Sequence, residues 1–179
     1  MGFLGKLIGE RKKTPISVLE FVKVLASWAA DLNAIRQNVE QTSFPEEVKK
    51  ELRNEIICLQ VFAIEIAIGF GFNQAAKEAI MEKFYDLLFR IFDGMQAYVK
   101  SNENLREIIE AGLDRTIGEY WLAIRDQECQ GDPPLAVGRA FSLFCGYPND
   151  YDITTLGRDL FDTSVKTVTK IIREHDVQV

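Results

Sequence analysis

A chain of 179 residues lies in the size range of one domain and can bury a core without help from disulfides or metal. Its composition, 47% apolar and 27% charged, is that of a globular protein and excludes a disordered one. The net charge is −6, yet residues 1–13 hold four cations against Glu10, a net +3 that leaves −9 for the remainder; so acidic a body, without a basic stripe interleaved with aromatics, excludes nucleic acid as an expected partner.

The first 13 residues, MGFLGKLIGERKK, form a basic arm with an apolar edge of Phe3, Leu4, Leu7 and Ile8. This composition suits a segment that contacts a partner's groove or an anionic membrane surface. Gly2, Gly5 and Gly9 each cost about 1 kcal/mol in a helix, so helicity is expected only on binding. Lys6 and Glu10 interrupt any signal-peptide core, and Lys6 occupies the position where a myristoylation motif wants Ser or Thr.

Thr14 and Pro15 read as the cap and first turn of a helix running to about Gln41, with apolar positions Val18, Val22, Leu25, Leu32, Ile35 and Val39 at helical spacing. Ser43 and Glu46 then have the spacing of a capping box, opening a second helix that reaches Gly71. Asn73 is the expected cap of a third helix, striped by Ile80, Phe84, Leu88, Ile91 and Met95, and the short link predicts an antiparallel pair. SNEN at 101–104 starts a fourth helix through Ile109, Leu113, Ile117 and Ile124, which QGDPP at 130–134 ends. A short apolar fifth helix spans about Pro134 to Cys145, and a sixth about Ile153 to Glu174. No stretch shows strand-like alternation, so the expected fold is an all-α, single-domain bundle of about six helices over residues 14–179, preceded by the arm at 1–13.

Within the apolar run from Ile56 to Phe72 one carboxylate stands out, Glu65. At 100° per residue it shares the angle of Glu47 and lies opposite Ile56, off the main core stripe, yet its neighbours Val61, Phe62, Ile68 and Gly69 are apolar. A carboxylate so placed needs a partner, a proton or a path to water. Lys77 or Lys83, just past the turn, is expected to reach it, and Glu65 is the candidate ligand-binding residue. The run itself has only the minimum length of a membrane span and carries Gln60 as well, which favours a core helix.

The remaining chemistry is sparse. His175 is the only histidine, which removes histidine-based triads and carboxylate–histidine metal sites, and it reads as a helix-terminal residue. None of the CxxC, HExxH, GxGxxG, GxxxxGK and GxSxG signatures occurs. Glu107 and Glu110 supply half of a paired-carboxylate magnesium arrangement whose second half is missing. Cys58, Cys129 and Cys145 are odd in number and irregularly spaced, as expected of free thiols in a reducing cytoplasm. Neither cofactor nor metal is expected. A surplus of phenylalanines, among them Phe62, Phe70, Phe84, Phe89, Phe92 and Phe141, reads as core, with some too many for one core, or as an apolar pocket between helices. The expectation is a non-enzymatic cytoplasmic module that binds a protein partner or itself as a homodimer. The alternatives are a small apolar ligand-binding bundle and membrane-surface contact through the arm.

Overall fold

The computed structural model describes residues 13–96, 104–125 and 131–179. In these, seven helices lie between two short strands: β1 (Thr14–Ser17), α1 (Val18–Ala29), α2 (Leu32–Glu40), α3 (Glu46–Gly71), α4 (Gln74–Gln96), α5 (Leu105–Arg125), α6 (Pro133–Phe144), α7 (Tyr151–Glu174) and β2 (His175–Gln178). The expected all-α bundle is present. Three local expectations are corrected.

The first helix begins later than Thr14. Ser17 Oγ accepts from the Glu20 amide at 3.3 Å and Glu20 Oε2 accepts from the Ser17 amide at 3.2 Å, a reciprocal capping box that leaves Thr14–Ser17 extended. That helix is also broken. Asp31 Oδ1 accepts from the amides of Asn33 and Ala34 at 3.1 and 3.0 Å, so the side chain restarts the chain as α2 in the middle of the expected rod. Finally, Ser43 caps nothing at α3. The N-cap is Pro45, which makes no side-chain cap bond, and Glu46 and Glu47 in the first turn face the positive helix end instead.

Further along, side-chain caps open three helices, and that of Asn73 is the one expected. Asn73 Oδ1 accepts from the Ala76 amide at 3.0 Å, Asp132 from Leu135 at 3.1 Å and Asp150 from Ile153 at 2.9 Å. Between α6 and α7 the chain turns through two left-handed residues, Gly146 at φ 82° and Asn149 at φ 66°, residue types that tolerate this region. The two strands, absent from the sequence expectation, pair in parallel with Ile16 opposite Val177. They fasten the two ends of the described chain together.

Helix α3 runs through the middle. Every residue from Glu55 to Ile64 is buried, and α7 and α5 flank it while α1 lies chiefly along α4. Phe62 joins three helices: its ring lies 5.1 Å from Tyr120 and 5.6 Å from Trp121 on α5, and 5.7 Å from Phe161 on α7. Among the described residues α3 alone is long and apolar enough to cross a membrane by length and composition, and 72% of its most apolar 18-residue stretch is buried within the fold. Most of the phenylalanine surplus is core: Phe62, Phe84, Phe92 and Phe141 are fully buried, and Phe89 packs at the core's edge under the Arg106 guanidinium. Phe89 and Phe92 therefore both fit one core.

Helices α6 and α7 approach closely because two glycines let them. A Cβ at Gly138 would meet the Thr154 carbonyl oxygen at 2.4 Å, and one at Gly157 the Phe141 ring at 2.5 Å. Gly138→Ala should therefore cost about 3 kcal/mol, since backbone cannot swing aside as a side-chain tip can. Gly118→Ala, where an added methyl meets nothing within 4 Å, should instead stabilise α5 by about 1 kcal/mol. Urea denaturation of both variants checks the pair, and equal effects would refute the close-approach account.

Candidate functional site

Glu65 is half-buried on α3, with Lys77 Nζ from the start of α4 at 3.6 Å from its Oε1. Lys77 also sits 5.9 Å from the centroid of the Trp121 ring. Of the two lysines expected to reach it, Lys77 makes the contact, across the α3–α4 turn. The arm residues Phe3, Leu4, Leu7 and Ile8, like Cys129, lie outside the described residues.

A different carboxylate is the more deeply buried one. Glu55, nearly three turns before Glu65 on α3, has only 2% of its surface exposed. The Arg115 guanidinium on α5 donates to its Oε1, and Oε2 has no hydrogen-bond partner. Burial raises the carboxyl from 4.5 to about 7, against the opposing pull of the Arg115 charge and hydrogen bond, with nearby Glu51 adding to the rise. Arg115 itself stands at the mouth of the site, its side chain 55% exposed, 5.7 Å from the centroid of the Phe144 ring. A cation so hydrated is screened, which is why it does not hold its partner ionised through the whole neutral range.

Glu55 lines a cleft of about 350 Å³ between α3 and α5. Glu51, Asn54 and Cys58 share the α3 wall, and Ile108, Gly112 and Arg115 stand opposite. At Gly112 a Cβ would lie 2.9 Å from Cys58 Sγ, so the missing side chain makes room for the thiol. Burial, then the Glu55 charge, push the Cys58 thiol up to about 12, which makes it inert as a nucleophile. Deeper in, the Tyr120 hydroxyl is buried without a partner, and burial together with the Glu55 charge drives its proton affinity well above the ordinary tyrosine value. Cys145 is raised by the same two causes. The site can hold protons and accept hydrogen bonds; none of its thiols or hydroxyls is activated for attack.

Sequence reading passed over Glu55, although a signal was present. It sits on the core stripe Val48, Leu52, Glu55, Leu59, Phe62, spaced four, three, four and three, so three of its four helix-face neighbours, Leu52, Cys58 and Leu59, are apolar. Glu65 attracted notice because of its long apolar run, whereas Glu55 lies in a charged-looking stretch and hides a worse position. His175 is half-buried at the start of β2, and its Nδ1 donates to the Ile171 carbonyl at 2.9 Å.

Comparison with known proteins gives no match: neither a family model, nor a curated protein, nor a solved structure is similar enough to lend the chain a function.

Because the folded Glu55 binds its proton more tightly than the unfolded one, the sign is fixed. Its contribution to stability is complete below about 4.5 and is lost as pH rises through about 7. The interval between those values corresponds to about 3 kcal/mol. Denaturation of the wild type and Glu55→Gln across that window should show the wild type losing this much relative to the variant as pH rises. Parallel profiles would mean that Glu55 is ionised throughout.

Proposed function

We propose that this chain is a non-enzymatic interaction module, working by contact with other macromolecules and first with a second copy of itself. One observation carries the reading. At the corner between α6 and α7, Leu143 and Tyr147 are exposed, and Tyr151 is 80% exposed, three large apolar or amphipathic side chains within nine residues. Isolated apolar residues are ordinary on a surface; several on one corner, two of them tyrosines, have the make-up of a contact patch. A further large side chain, Phe70, is 86% exposed at the end of α3. It is flanked by the exposed glycines Gly69 and Gly71, so little of the chain nearby shields it.

A cytoplasmic setting goes with this reading, supported by the two buried free thiols, Cys58 and Cys145. Light scattering coupled to size exclusion should give twice the 20.4 kDa chain mass. Tyr147→Ser combined with Tyr151→Ser should shift the equilibrium at least tenfold toward monomer, and a wild type that stays monomeric at high concentration would refute self-association.

A second reading, membrane-surface contact through residues 1–13, draws support from the place where the arm joins the fold. Thr14 lines a groove of about 1010 Å³ together with Lys166, Lys170 and Arg173. Two of these cations have acids one turn away, Asp162 at 2.5 Å and Glu174 at 4.0 Å, so their pull on an anionic surface is partly cancelled. This ranks the reading second. Co-sedimentation with vesicles rich in anionic lipid should retain the full chain and lose the chain lacking residues 1–13, and equal retention would remove the arm from the account.

A further inference from the structure

The α3–α5 cleft has features that the contact patch does not explain. Glu55 offers an acceptor oxygen, Oε2, that nothing in the fold satisfies, on a side chain with 2% of its surface exposed. Buried polar atoms are nearly always paired, so an orphan lining a cleft marks the place where a donor belongs. One turn earlier, the exposed carboxylate of Glu51 lines the same cleft, about 6 Å away along the helix axis. The cleft continues into a second groove of about 610 Å³, which shares Glu51, Asn54, Ile108 and Ala111 with it and adds Lys50 from α3 together with Asn104 and the carboxylate of Glu107 at the start of α5.

Three carboxylates thus follow one another along a channel whose other walls include Ile108 and Ala111. An anion would meet three carboxylates against Lys50 at the outer end of the groove, and the Arg115 guanidinium is already spent on Glu55 Oε1. A metal ion is not served either, since among the described residues no group of three or more His, Cys, Asp or Glu is placed to hold one. What fits is an organic cation with donors at intervals and methylenes between them.

We propose that this cleft binds a linear diamine or longer oligoamine, one ammonium group donating to Glu55 Oε2 and the next reaching Glu51, with the connecting methylenes against Ile108 and Ala111. The site shares no lining residue with the α6–α7 corner, so it stands or falls separately from self-association.

Calorimetric titration of the full-length chain with putrescine, against butylamine and potassium chloride of matched ionic strength, tests it. Putrescine should bind saturably at one site per chain, and butylamine, with a single ammonium, at least tenfold more weakly. Glu55→Gln should weaken putrescine at least tenfold while leaving the chain folded by circular dichroism. Glu51→Gln, on an exposed side chain that folding does not need, should weaken it several-fold and decides the matter should the first variant fail to fold. Heats no different from potassium chloride, or wild-type affinity in whichever of these variants folds, would overturn the proposal and leave Glu55 a structural carboxylate only.

Discussion

From Glu55 to Ile64 α3 presents no face to water, and this constraint governs the arrangement around it. A helix that is apolar on one stripe can rest on a surface, but one buried on every side must be surrounded. Leu59, Phe62 and Ile64 are each fully buried, and such side chains contribute about 1.5–3 kcal/mol apiece when removed from water. No single neighbour can collect that gain. Helices α5 and α7 flank α3, α6 is drawn against α7 through Gly138 and Gly157, and the β1–β2 pair closes the ends. Phe62, in contact with rings on both α5 and α7, marks where these demands converge.

The helices were legible because their cause is repetitive: apolar residues at three and four, summed over many turns, outweigh any single misplaced signal. The errors fall where one side chain decides. Asp31 looked like an ordinary polar position on a long rod, yet its bonds to two amides end one helix and begin another. Ser43 had the right spacing to Glu46 but lies two residues before the true N-cap, Pro45. The strands were illegible for a further reason. Four residues are too few to display alternation, and a parallel partner lies about 160 positions away, so only the closed bundle brings Ile16 to Val177.

At the site the position of Glu65 off the core stripe was readable, and so was its need for a cation from the next helix, since both follow from angle and distance along a hairpin. Glu55 shows what such reasoning misses when attention goes to the composition of a window instead of the angle within it. Its neighbours Asn54, Arg53 and Glu51 are polar, and they diluted a signal that the stripe from Val48 to Phe62 carried plainly. Its partner was beyond sequence reasoning altogether, because Arg115 comes from α5, sixty residues later.

The balance at Glu55 follows from the unequal settings of the two charges. Moving a carboxylate into the interior costs several kcal/mol even after relaxation, and a cation at about 4 Å returns about 4 kcal/mol where the effective dielectric is about 20 but only about 1 where it is that of water. Arg115, more than half exposed, works nearer the watery limit, while Glu55 bears nearly the full cost of burial. The deficit is what lifts the carboxyl to about 7. A leucine at this position would continue the core stripe with no such deficit, so the carboxylate weakens the fold where it stands. Its unpaired oxygen, on a residue that shares one cleft with Glu51 and Ile108, makes this a point where an added donor would recover free energy that the fold leaves unclaimed.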